Sequence, residues 1–126
     1  MADIATLLER NLQGIFGEGD ETLRRKVADE ILAEDAVFVE PHGIYRGRDE
    51  IVRIAGEIRA KHPSFHYTPL APADVLQEQA GRVKWVAGEP GESPVYAGTD
   101  FIVAKDGKIA AIYLFFDGQP DPTNLS

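Results

Sequence analysis

The sequence predicts a single α+β domain spanning residues 1–126, with three helices gathered on one face of a mostly antiparallel sheet. Apolar residues recur every three or four positions through much of the first half, the period of a helix face, and on alternate positions in the second half, the period of a strand. Helical segments ahead of a run of strands is the α+β order. A chain of 126 residues is also the size of one domain, able to bury about two-thirds of its unfolded surface.

The first helix is read from Ile4, Leu7, Leu8, Leu12, Ile15 and Phe16, which share one stripe and end at Gly17 and Gly19. Asp20 can cap a second helix, whose buried face is expected to comprise Leu23, Val27 and Ile31, with Ala28 and Leu32 beside them. Ala36-Val37-Phe38-Val39-Glu40 then switches to β-branched and aromatic residues, a short strand that Pro41 ends because proline cannot donate to a ladder. His42-Gly43 and Arg46-Gly47 read as turns. Asp49 and Glu50 open a third helix, where its dipole favours negative charge; Ile51, Ile54, Ala55 and Ile58 form its apolar side, and Pro63 forbids continuation.

Strands are expected at residues 65–70, 74–79, 82–87, 95–105 and 108–116, with compact turns at Ala80-Gly81 and Asp106-Gly107 and a longer exposed connection over 88–94. From Gly118 the chain reads as a loose, proline-containing tail. The last two strands are apolar on both sides: Tyr96 and Ile102 against Val95, Phe101 and Val103, then Ile112, Leu114 and Phe116 against Ile109, Tyr113 and Phe115. A sheet covered by helices on one side and apolar on the other calls for a partner, so a homodimer through the outer sheet face is expected.

A net charge of −8 without a basic stripe argues against nucleic acid and anionic membrane as partners. With no secretory signal pattern and no apolar run of membrane-spanning length, a cytoplasmic location is expected. The lack of cysteine removes thiolate nucleophiles and Cys-based zinc sites, and His42, His62 and His66 fit no metal-binding spacing. Neither a metal nor a cofactor is expected.

Two carboxylates stand apart from the acidic surface. Asp100 interrupts the apolar run Thr99-Asp100-Phe101-Ile102-Val103, where burying it ionised would cost several kcal/mol, so it is better accommodated protonated. It reads either as a functional acid or as a core acid bonded to a hydroxyl or backbone group. Glu40 closes the first strand, where a functional group can project from a rigid support, although a solvated strand-end glutamate is the simpler alternative. His42, two residues on, could tune it. Trp85 reads as core before ligand platform, and His66 is expected to face outward.

Residues 32–43, containing Ala36-Val37-Phe38-Val39-Glu40-Pro41-His42-Gly43, and the following Tyr45-Arg46-Gly47-Arg48-Asp49-Glu50-Ile51 resemble the helix, strand and helix opening of NTF2-like proteins. Tyr96-Ala97-Gly98-Thr99-Asp100-Phe101-Ile102-Val103 and Ile112-Tyr113-Leu114-Phe115-Phe116-Asp117 are similar to the closing hairpin of the SnoaL-like branch. The resemblance implies a cone: a curved sheet wrapped around an apolar pocket. In the related ketosteroid isomerases, a carboxylate before proline at the end of the first strand is the general base. A second carboxyl, in the next-to-last strand, stays protonated to donate to the enolate oxygen. Glu40 and Asp100 occupy those positions, whereas the tyrosine that isomerases carry on the first helix is Leu12 here and their aspartate base is a glutamate.

The resemblance further implies a pocket wall of Leu12, Trp85, Ile102, Leu114 and Phe116. The residues leave the hairpin register open: a two-residue turn at Asp106-Gly107 pairs Asp100 with Tyr113, and a three-residue loop, Lys105 to Gly107, pairs it with Ile112. The resemblance favours the second, which puts Leu114 and Phe116 on the face of Asp100. The implied function is a cofactor-free acid–base enzyme that isomerises, cyclises or hydrates a small apolar carbonyl compound. A non-catalytic binder of small apolar molecules and a dimeric association module are the alternatives.

Overall fold

Asp3 starts the first helix by accepting the Thr6 N–H at 2.8 Å, and from there the computed structural model, which describes residues 3–118, follows the expected order of elements. Helix α1 (Ile4–Arg10) runs into a π-helical turn (Asn11–Phe16) that the Gly17 N–H closes on the Leu12 carbonyl at 2.8 Å. The widened turn keeps Leu12, Ile15 and Phe16 all inward. Asp20 caps α2 (Glu21–Ile31), which leads directly into β1 (Leu32–Glu40), β2 (Gly43–Arg46) and α3 (Arg48–Lys61). Then come β3 (His66–Pro69), β4 (Asp74–Leu76), β5 (Ala80–Gly88), β6 (Tyr96–Lys105) and β7 (Lys108–Phe116).

The strands form one curved sheet in the order β2-β1-β7-β6-β5-β3, with β4 also on β5. Every pairing is antiparallel except β1 with β7. Ile4, Leu8, Ile15, Ile31, Ile51 and Ala55 from the helices join Phe38, Ile102, Ile109 and Ile112 from the sheet in one core, which is the α+β cone arrangement. Among the described residues no helix is long and apolar enough to cross a membrane. The tail beyond Gly118 lies outside the described residues.

Four expectations need correction. The inner face of α2 is Arg24, Ala28 and Ile31, while Leu23 is exposed and Leu32 already belongs to β1. Arg24 lies buried, its stem in the interior and its Nη2 donating to the Glu18 carbonyl at 2.6 Å. The segment expected as two turns after Pro41 contains strand β2, which pairs Tyr45 with Phe38 and Gly43 with Glu40. Gln77 and Glu78, both at positive φ, make the turn expected at Ala80-Gly81. Gly81 lies inside β5 instead, beneath α1, because an added Cβ would sit 2.4 Å from Ile4 Cγ2.

The fourth correction concerns the last hairpin. The favoured three-residue loop is not formed: Asp106 and Gly107 make a two-residue turn, with Lys105 opposite Lys108, yet Asp100 faces neither Tyr113 nor Ile112 but Leu114. The register steps between Val103↔Ala111 and Ala104↔Ile109, so Ala110 is a β-bulge. The two-residue turn sets Ile109, expected on the face opposite Ile112, against Ala104 and so in the core beside Leu32, and the bulge brings Ile112 to that same face.

Candidate functional site

Phe38 is buried under the helices, so Glu40, two residues further along β1, leaves the same concave face of the sheet. On β6, Asp100 opposes Leu114 of β7 and Val83 of β5. One step beyond the Val39↔Tyr113 pair, Glu40 comes level with Leu114. The two acids therefore stand in one row across the sheet, two strand spacings or about 10 Å apart at Cα, with β7 between them. Both line a cavity of about 590 Å³ between sheet and helices, a volume suited to a small organic molecule.

Asp100 is 5% exposed. The indole Nε1–H of Trp85 donates to its Oδ1 at 3.0 Å, and Oδ2 has no hydrogen-bond partner among the described residues. Burial pushes its pKa from 3.8 to about 7, against the smaller lowering effect of the indole bond. The indole can lie across β6 only because residue 98 is glycine, since a Cβ there would sit 2.6 Å from Trp85 Cζ2.

Glu40 is half-buried and accepts two bonds, from the His42 backbone N–H at 3.0 Å and from the Tyr45 hydroxyl at 3.0 Å. The bond to Glu40 holds the Tyr45 phenol above its ordinary pKa. Tyr67, on β3, also reaches the cavity, with its ring edge-on to Trp85 at 5.2 Å. Burial raises the Tyr67 pKa, Arg59 works against this, and the charge of Asp100 adds to it.

Of the residues expected at the site, Glu40, His42, Asp100, Leu12, Trp85, Leu114 and Phe116 all line this cavity. Ile102 does not: it shares Asp100's face of β6 but lies fully buried in the core and is not among the lining residues. His66 is exposed, as expected. Sequence reasoning missed Tyr45, Tyr67, His62 and Tyr96, and it took Ile54 and Ile58 of α3 for core when they form part of the cavity wall. Tyr96 could have been found, since it is four residues from Asp100 and so on the same face of the strand. Among the described residues no three His, Cys, Asp or Glu side chains group so as to hold a metal ion.

An aromatic-walled hollow under a curved sheet, with one acid at depth and a second closer to water, defines an α+β cone with an internal acid-bearing cavity. The chain matches the SnoaL-like domain over residues 15–112 and belongs to that family. Its structure is similar to that of a candidate isomerase of the SnoaL-like family from Agrobacterium tumefaciens, with a TM-score of 0.84 and 24% identity over 94% of this chain and 100% of that one. It is also similar to a candidate polyketide cyclase from Sinorhizobium meliloti, with a TM-score of 0.66 and 23% identity over 91% of this chain and 95% of that one. A candidate ketosteroid isomerase from Kribbella flavida matches with a TM-score of 0.67 and 18% identity over 94% of this chain and 81% of that one. At these identities the likeness establishes the fold. No curated protein matches the chain.

Proposed function

We propose that the protein is an acid–base enzyme, needing no cofactor, that moves a proton at a carbon next to the carbonyl of a small apolar molecule. The observation that carries this reading is the bonding of Asp100. One of its oxygens is held by Trp85, and the other is left without a protein partner in a residue that lines the cavity. A protonated Oδ2 there is a hydrogen-bond donor aimed at whatever oxygen the ligand presents.

Glu40 is the proton acceptor in this scheme. It takes the proton from the α-carbon, the C–H electron pair forms a C=C bond, and the carbonyl π electrons move onto oxygen. The enolate oxygen accepts the Asp100 hydrogen bond, and return of the proton from Glu40 to the same carbon, or to the γ-carbon of a conjugated dienolate, re-forms the carbonyl and restores the base. The apolar walls keep water from competing with the Asp100 bond, so it strengthens as charge builds. Tyr67 is the phenol available to share that oxygen, since Leu12 offers no donor. Isomerisation and ring closure both begin with this step.

The test is Glu40→Gln, whose amide oxygen can still accept from the His42 N–H while its NH2 donates to the Tyr45 hydroxyl oxygen. Deuterium uptake at the α-carbons of a panel of cyclic ketones and enones, followed by NMR in heavy water, should fall by about 10²–10⁴-fold in the variant. Binding of a phenol, which imitates the enolate, should persist. Unchanged exchange in the glutamine variant refutes the assignment.

We also propose that two copies pair through the outer sheet face, where Val103 and Phe115 are 36% and 59% exposed. A monomer would leave this apolar strip in water.

A further inference from the structure

A second polar group of residues lies in the same cavity, away from Asp100. His62, which follows the last turn of α3, stacks on Phe65 with ring centroids 4.2 Å apart and planes 12° from parallel. Its Nε2 is 3.2 Å from the Tyr96 hydroxyl, which has no other partner among the described residues. Tyr96 in turn packs at inclined angles on Phe65 and Phe116. All four residues line the cavity.

Tyr96 and Asp100 are four residues apart on β6 and leave the same face, which separates their Cα atoms by about 13 Å. Exposure gives the axis a direction. Asp100 and Trp85 are nearly inaccessible, whereas Phe116, beside Tyr96, is 47% exposed. The cavity thus runs from a deep acid to a polar pair near its mouth, with Trp85 and Phe116, both level with Gly98, forming apolar walls between them.

We propose that the His62–Tyr96 pair binds a second polar group of the ligand. The substrate class is then an elongated, flat molecule with a hydroxyl or carbonyl at the end opposite the oxygen that meets Asp100. This deepens the function proposed above and rests on it. Imidazole tautomerism lets the pair serve either group. When Nε2 is bare, the Tyr96 hydroxyl donates to it and keeps lone pairs for a ligand hydroxyl. When Nε2 carries the proton, it donates to Tyr96, whose own O–H is free for a ligand carbonyl. Neither state strands a buried polar atom when the ligand docks.

Trp85 is the one tryptophan of the chain, so its fluorescence reports occupancy. The probes are para-hydroxybiphenyl and the biphenyl diol with a hydroxyl at each far end. The diol should bind the wild-type protein about tenfold more tightly than the monophenol, beyond the twofold statistical factor of a symmetric ligand, as one added hydrogen bond would give. In Tyr96→Phe and in His62→Phe, which keep the ring packing, that advantage should vanish. A wild-type protein that binds both phenols equally, or an advantage that survives in both variants, overturns the proposal. If under that result the monophenol still binds and Asp100→Leu weakens it, the acid-bearing cavity stands without the second anchor. Failure of both phenols to bind the wild-type protein overturns both readings.

Discussion

Replacing Asp100 with asparagine should alter how stability responds to pH. The folded carboxyl has a pKa of about 7 against 3.8 for the free group, a gap worth on the order of 4 kcal/mol. Because the folded value is raised, the native state holds this proton more tightly than the unfolded chain does. The stability tied to protonated Asp100 is therefore fully present below about pH 4 and is lost as the pH rises through about 7. The asparagine variant keeps an oxygen to accept the Trp85 indole but cannot ionise. The other acids are shared by both proteins, so their titration cancels in the difference. Thermal melts followed by far-UV circular dichroism from about pH 4 to about pH 8 should show the wild-type protein losing ground to the variant, by roughly 10–20 °C in Tm across the range. Parallel Tm curves would mean that the Asp100 carboxyl is as well hydrated in the folded protein as in the unfolded chain, and its role as a protonated donor would fail with that result.

Gly98→Ala would put a methyl carbon 2.6 Å from Trp85 Cζ2, so the indole must move off Asp100. A stability loss of about 1–3 kcal/mol by denaturant titration, with a shift of tryptophan emission, is expected, and unchanged emission would contradict the packing. Phe115→Glu places a charge on the outer sheet face. Sedimentation velocity should find the wild-type protein dimeric and the variant monomeric, whereas a monomeric wild-type protein removes the proposed pairing.

Where local pattern decides structure, the sequence was legible. The stripe from Ile4 to Phe16, the Asp20 cap and the apolar side of α3 are properties of consecutive residues, and all appear in the folded chain. β2 was not legible because Gly43–Arg46 is too short to show alternation, and it turns Ile44 out to solvent. The Gln77-Glu78 turn was hidden because neither residue is the glycine or asparagine that positive φ usually selects. Glu40 and Asp100 stood out because a carboxylate at a strand end and another in mid-strand break the pattern around them. Tyr67 and His62 break no pattern, and only the packing of β3 and the end of α3 around one hollow brings them to Tyr96 and the two acids.

The composition of that hollow depends on one residue that does not touch it. With the two-residue turn at Asp106-Gly107 and no bulge, Asp100 would pair with Tyr113, and every side chain of β7 from Ala111 onward would change faces. Tyr113 and Phe115 would then point at Asp100, while Leu114 and Phe116 would point outward. Ala110 absorbs the mismatch. On the turn side Ile109, opposite Ala104, packs under the helices against Leu32 with or without the bulge, and beyond it Ile112 and Leu114 join the same concave face, with Ile109 and Ile112 both fully buried. Bulging out one small residue costs a ladder position, which burial of Ile112, at about 1.5–3 kcal/mol, outweighs. The same step gives Asp100 apolar neighbours instead of two further rings, one of them a phenol, and burial in those surroundings is the main cause of its raised pKa.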